Sequence, residues 1–307
     1  MISNKFLVLI SIFILFSCSK PVKEEKITLE GAVFGTTYKI VYLNTSINYQ
    51  KSIDSLFLLM NTSLSTYIPS SDISRINSGD TTVVVDDLFL EVFKKSKRIH
   101  KETNGYFDPT VGNLVNAWGF GPKNEKRNLT ATEIQELMQF VGLDFVKIVD
   151  RQVFKKETKI YLDFNSIAKG FGIDVVARFL TSKKITNYLV EIGGEIRAKG
   201  TKNDNIPWLI KIVDPTNEGL LQKYKSINLS NKSMATSGNY RKYRFTENGQ
   251  KFVHTINPIT GQALESNLLS ASVIANLDCA DVDAYATAFM AMGLKKSKKF
   301  LQEHPLI

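Results

Sequence analysis

Thr158-Lys159-Ile160-Tyr161-Leu162-Asp163-Phe164-Asn165-Ser166-Ile167-Ala168-Lys169-Gly170 is a short β-rich run that passes directly into a helical one. The pattern predicts a strand over 159–163 and a helix over about 165–181. A junction of this kind turns unpaired backbone groups toward any anion or metal that approaches, and Lys169 adds a mobile positive charge. Around it, short apolar runs predict strands at 145–149, 187–192, 207–213, 226–230, 252–256 and 269–275. A further helix starts near Asp278. Strands and helices mix without strict βαβ alternation, so an α+β fold is expected rather than a doubly wound sheet.

Toward the N-terminus, alternating apolar residues from Ile27 to Leu43 predict one or two strands. Ile53, Leu56, Phe57, Met60 and Leu64 share one helical face, and Phe89, Val92, Phe93 and Ile99 mark a second helix. Thr130 followed by Glu133 reads as a capping box ahead of the stripe Ile134, Leu137, Met138 and Val141. No Pro- or Ser-rich linker divides the chain.

The first residues do not belong to this fold. Lys5 is followed by an apolar run from Phe6 to Phe16 broken only by Ser11, too short to span a membrane and suited to a secretory signal. The run ends in Leu15-Phe16-Ser17-Cys18, which resembles a bacterial lipobox. The expected organisation is a signal peptide over 1–17, a lipidated tether over 18–26 that begins at Cys18, and one domain over 27–307. Such a chain is anchored by lipid to the bacterial cell envelope and faces the periplasm. Only one other cysteine, Cys279, exists, so lipidation leaves it without a disulfide partner. Its apolar surroundings suit a small core residue rather than a nucleophile.

Of 307 residues, 43% are hydrophobic and 22% charged, enough apolar content for a true core. The absence of internal repeats and low-complexity runs excludes solenoids and disordered chains. The net charge of +9 favours anionic headgroups or phosphate-bearing ligands. The lysines are scattered, as in Lys94-Lys95 and Lys298-Lys299, with no basic stripe interleaved with aromatics, which argues against nucleic acid.

Several segments carry candidate chemistry. Gly35-Thr36-Thr37, Gly119-Phe120-Gly121, Gly193-Gly194 and Thr236-Ser237-Gly238-Asn239 pair small residues with hydroxyl or amide groups, so backbone N–H groups can approach a phosphate or ring. Each is equally readable as a plain turn. Neither a Walker loop nor a GxGxxG dinucleotide fingerprint is present. Tyr106-Phe107-Asp108-Pro109-Thr110-Val111-Gly112 runs into Asn116-Ala117-Trp118, either an aromatic cluster around a turn or the wall of a slot for a planar base. Asp283 and Thr287 stand four apart on a predicted helix and so project to one side. Their hard oxygens suit Mg²⁺, although acids at a helix start also complement its dipole. His254, before the turn Asn257-Pro258-Ile259-Thr260-Gly261, is either a structural strand residue or a base at a cleft edge.

Taken in order, the set resembles one family. Gly35-Thr36-Thr37-Tyr38, Phe107-Asp108-Pro109-Thr110-Val111-Gly112, Asp163 to Gly170, Gly193-Gly194, Ala235 to Tyr240, His254 to Gly261 and Asp283-Ala284-Tyr285-Ala286-Thr287 together resemble the ApbE family of FAD:protein FMN transferases, from about Gly31 to Gly293. The resemblance implies mixed, largely antiparallel sheets flanked by helices around a flavin-binding cleft. It implies FAD as substrate and Mg²⁺ as metal, with FMN joined by a phosphoester to Thr or Ser of an acceptor protein, a membrane redox subunit, and AMP released. The metal would be held by Asp283, Thr287 and the carbonyl of Ser166, where relatives commonly have Ala. Flavin and adenine contacts would fall on Phe34, Tyr106, Phe107, Asp108, Asp163, Lys169 and Ile256, with Phe34 standing where relatives commonly have Met. His254 and Asp283 would serve catalysis, the histidine as base or orienter of the acceptor hydroxyl. Relatives run past the last helix into a further strand or hairpin, whereas this sequence stops at Ile307. Two other functions share these residues: an FAD pyrophosphatase using water as acceptor, and a non-catalytic flavin-binding lipoprotein.

Overall fold

The computed structural model describes residues 25–122, 128–202, 205–213, 223–240, 243–245, 249, 251–263 and 266–305. The signal segment and Cys18 lie outside them. In chain order the elements are β1 (Lys26–Val33), β2 (Thr36–Leu43), α1 (Gln50–Leu64), α2 (Asp72–Asn77), α3 (Asp87–Glu102), α4 (Gly112–Ala117), α5 (Ala131–Met138), β3 (Val146–Val149), β4 (Gln152–Lys155), α6 (Ala168–Ser182), β5 (Tyr188–Ile192), β6 (Glu195–Lys199), β7 (Trp208–Val213), β8 (Lys223–Leu229), β9 (Lys232–Gly238), β10 (Tyr243–Phe245), β11 (Lys251–Val253), β12 (Ser270–Ala275) and α7 (Cys279–Glu303). The α+β expectation holds. A six-stranded antiparallel sheet in the order β1-β2-β5-β6-β9-β12 forms the centre, joined by two-stranded ribbons β3-β4, β7-β8 and β10-β11.

Strand period decides what each face of the central sheet carries. Tyr38, Ile40, Tyr42, Tyr188, Val190, Ile192 and Ala235 point to the main core, where α6 lies against β5 and β6, and α7 against β9 and β12. The alternate residues Val41, Leu43, Ile196, Ala198 and Met234 point the other way, onto Trp208, Ile210 and Leu229 of the β7-β8 ribbon. A satellite cluster joins Leu114 and Trp118 to Phe252, Ile256 and Ala263, and Trp118 Nε1 donates to the Gly261 carbonyl at 2.9 Å. The capping box at Thr130 and Glu133 forms as expected. The last helix breaks at Gly293, where φ is +74° and a Cβ would lie 2.9 Å from Asn267 Oδ1.

Two expectations need correction. The strand over 159–163 reduces to a single parallel bridge between Tyr161 and Val111. Its neighbours find other partners: Leu162 N–H donates to Asn77 Oδ1 at 2.8 Å and Asp163 N–H to the Pro109 carbonyl at 2.7 Å. The helix accordingly starts at Ala168, not 165. Strands β4, β6, β9 and β10 went unpredicted. In β6 and β9 the reason is composition: Glu195, Arg197, Ser233 and Ser237 alternate with apolar residues but face the helices, so polar side chains occupy the buried side.

Candidate active site

The site begins where two helix N-termini meet. Gly170, in the first turn of α6, lies so close to the start of α7 that a Cβ would stand 2.4 Å from the Cys279 carbonyl oxygen. Only glycine permits that approach. Across the contact each helix caps the other. Asp174 of α6 accepts from the N–H groups of Cys279 and Ala280, both at 2.9 Å. In return, Asp283 Oδ2 accepts from the Gly170 N–H at 3.1 Å. Free N–H groups of both helices are thus satisfied by acids 105 to 113 residues away. Arg197 binds Asp174 and reaches Asp278 at 2.7 Å, and Lys95 bridges Asp278 and Asp281 at 2.7 and 3.2 Å. Burial pushes the Asp174 carboxyl up to about 6 against the pull of Arg197.

One turn into α7, beside this lock, stand Asp283 and then Thr287. Asp283 is almost wholly buried, and its second oxygen takes no hydrogen bond from any described residue. Thr287, partly buried, shares a hydrogen bond of 3.2 Å with Ser237 at the end of β9. The Ser166 carbonyl accepts no backbone hydrogen bond among the described residues, since Gly170 N–H turns to Asp283 instead. Lys169 Nζ donates to Glu195 Oε1 at 3.0 Å and lies 3.9 Å from Asp283 Oδ2. Burial alone would lower the Lys169 ammonium, but Asp283 and Glu195 outweigh it and hold it above the ordinary lysine range. Burial raises Asp283, with Lys169 opposing, and pushes Glu195 up to about 7.

Among the described residues no three His, Cys, Asp or Glu side chains gather as a metal cage. A cation here would therefore draw on a carboxylate, a hydroxyl and a carbonyl, all hard oxygens, and would keep several waters. That donor set suits Mg²⁺ and not a thiophilic metal. Two carboxylates facing one ammonium, with the Glu195 Oε2 atom buried and unpartnered, also favour a further positive charge.

The other expected residues fall into three places. Asp163 sits beside the junction, its Oδ1 accepting from the Asn165 N–H at 2.8 Å, and burial raises its carboxyl. The loop from Tyr106 to Asp108 abuts the same stretch through Pro109. There the Phe107 ring is buried in the core, its carbonyl pairs with His100 Nδ1 at 3.0 Å, and Asp108 is buried and hydrogen-bonded on both oxygens. Only Tyr106 of this trio remains partly open, with Lys296 over its ring at 4.7 Å. Phe34 holds the β1–β2 turn at φ +51°, its ring 5.6 Å from Phe57 and against Gly172 of α6. Ile256 is buried in the Trp118 cluster. His254 follows β11, and the next residue, Thr255, donates to Asn239 Oδ1 at 2.9 Å, tying this segment to the end of β9 beside Ser237. Cys279 is fully buried, and burial raises its thiol well above the usual range, which fits a core residue.

Sequence reasoning missed Glu195, Ser237 and Asp174. The first two adjoin or lie in Gly-rich segments already singled out, so proximity to those glycines was the available signal. Asp174 stands mid-helix among apolar residues, and a buried acid there had no local partner to account for it. Tyr67 was missed as well. It is 58% exposed, and partial burial, aided by the nearby Asp163 and Tyr161, pushes its hydroxyl up.

Solved structures supply the class first, that of the flavin transferases. The flavin transferase ApbE of Vibrio cholerae superposes with a TM-score of 0.81 at 34% identity, covering 92% of each chain. The apo flavinyl transferase ApbE of Pseudomonas stutzeri superposes at 0.83 with 28% identity, covering 92% of this chain and 90% of its own. A protein of Haemophilus influenzae named FAD:protein FMN transferase is 36% identical over 306 residues, 95% of this chain and 87% of that one. The ApbE family model matches residues 34–307, and the chain belongs to the ApbE family.

Proposed function

We propose that this chain is a magnesium-dependent FAD:protein FMN transferase that joins FMN by a phosphoester to a Thr or Ser of an acceptor protein and releases AMP. Family membership and the names of its relatives support the reaction. The observation that carries the chemistry is Asp283: a buried carboxylate that spends one oxygen on the α6 N-terminus and keeps the other unpaired, one helical turn before Thr287.

In the proposed reaction the acceptor hydroxyl oxygen forms a bond to the FMN phosphorus while the P–O bond to AMP breaks. AMP leaves with the electron pair, and His254 takes the hydroxyl proton. Asp283, Thr287 and the Ser166 carbonyl would hold Mg²⁺, which supplies charge neutralisation on the pyrophosphate. Lys169, ion-paired to Glu195 and close to Asp283, is the cation of the cluster and would serve the phosphates. Cys18 is proposed as the lipid attachment point that keeps the domain at the envelope membrane, beside a membrane redox subunit as acceptor.

The test is incubation of the purified protein with FAD, Mg²⁺ and a candidate acceptor. The expected result is an FMN mass adduct on an acceptor Thr or Ser with equimolar AMP. Free FMN with unmodified acceptor would instead identify a pyrophosphatase. Cys18→Ser should yield unprocessed or unanchored protein, and normal membrane fractionation of that variant would overturn the anchor.

A further inference from the structure

Glu195 opens β6 directly after the Gly193-Gly194 turn. Strand alternation turns its side chain to the helix side with Arg197, away from Ile196 and Ala198. It is only 4% exposed. Its Oε1 accepts from Lys169 at 3.0 Å, yet Oε2, also buried, has no hydrogen-bond partner among the described residues. An unmatched buried carboxylate oxygen is a costly arrangement that calls for a partner from outside the chain.

Apart from the backbone N–H of Glu195 itself, which acts on the same carboxylate, the described surroundings do not supply one. On its own strand, Arg197 is spent on Asp174 and Asp278. On α6, Lys169 is shared with Asp283, and Asp174 is an acid. On α7, Cys279 directs its Sγ to the Ile196 carbonyl, and Asp283 is a second acid. On β9, Ser233 donates to the Leu277 carbonyl and Ser237 is engaged with Thr287.

We propose that Glu195 belongs to the cation site, with its Oε2 held for the hydration shell of a divalent ion bound at Asp283 and Thr287. Lys169 offsets part of the charge of the two carboxylates while that ion is away. Mg²⁺ keeps most of its waters, and a fixed anionic acceptor orients them, as outer-shell carboxylates do at other metal sites. The proposal rests on the cation reading of Asp283 and Thr287, and the experiment separates the two.

Mn²⁺ is titrated into the protein, with and without ADP, and free Mn²⁺ is followed by EPR. The wild-type protein should bind one ion and Asp283→Ala none. Glu195→Gln should bind about 10- to 100-fold more weakly. If the wild-type protein binds no Mn²⁺ in either condition, the cation reading falls and this proposal with it. If the wild-type protein binds, Asp283→Ala does not, and Glu195→Gln matches the wild-type protein, this proposal alone is overturned. A purely structural Glu195 would lower the unfolding midpoint in EDTA and leave the Mn²⁺ constant unmoved. Should Glu195→Gln fail to fold, Glu195→Asp, which keeps the charge but withdraws the oxygen, must show the weakening, and wild-type affinity there overturns the idea.

Discussion

Asp108 with Thr110 forms one buried acid–hydroxyl pair, and Asp283 with Thr287 forms another. Asp108 Oδ1 accepts from both the N–H and the hydroxyl of Thr110, at 2.7 and 2.6 Å, and its Oδ2 accepts from Leu143 N–H at 3.2 Å. His100 stands 3.4 Å away, and Thr110 Oγ1 in turn accepts from Gly142 N–H at 2.7 Å. Both carboxylate oxygens of Asp108 and the hydroxyl of Thr110 are committed to holding two loops together. Asp283 commits one oxygen to the α6 N-terminus and leaves the other open, and Thr287 shares a single bond with Ser237. Residue type is the same in both places. Under the proposed function, saturation is what sets the two apart: a filled acid holds a turn, whereas a half-filled one keeps a lone pair for a ligand.

The comparison can be broken first at Asp283. Asp283→Ala should lower FMN transfer on the order of 10³-fold, the loss of a few kcal/mol of charge stabilisation, while FAD binding is partly retained. AMP release measured under saturating FAD checks this, and full activity would refute the metal assignment. Asp108→Ala should act the other way. It strands the N–H groups of Thr110 and Leu143, so urea unfolding should show a loss of about 3 kcal/mol while the Mn²⁺ affinity of the folded fraction stays unchanged. A selective loss of ion binding there would erase the distinction. Thr287→Val sharpens the contrast from the hydroxyl side: the rate should drop about tenfold, and Thr287→Ser should restore most of it.

The smallest effect lies in the lock behind the site. Burial pulls the Asp278 carboxyl up, but hydrogen bonds from Lys95 and Arg197 outweigh it and hold it down to about 2. A carboxyl held below its unfolded value of about 3.9 contributes stability at higher pH. That contribution is lost as pH falls from there toward 2. Asp278→Asn should therefore be less stable than the wild-type protein at pH 6, with a shallower further loss below pH 4. Unfolding midpoints taken from pH 6 to 2.5 measure both.

Much of this architecture was legible in the residues. The stripes of α1 and α3, the capping box at Thr130 and most strands of the central sheet follow from local periodicity, which reports which face is apolar. The 159–163 segment misled because its apolar centre Ile160-Tyr161-Leu162 reads as a strand, while its hydrogen bonds go to Asn77 and Pro109. Strand β6 was hidden for the opposite reason, since its inward residues are Glu195 and Arg197, chosen for an ion cluster rather than for apolar packing.

By itself the sequence determined the family, the α+β class and the order of the motifs, because side-chain period and turn chemistry are set within a few neighbouring residues. Only the tertiary structure decided which acids are filled and which are half-empty. Asp283 meets the Gly170 N–H across 113 residues of chain, and Glu195 meets Lys169 across 26. Hydrogen-bond saturation depends on partners brought together by packing, and no local pattern encodes it.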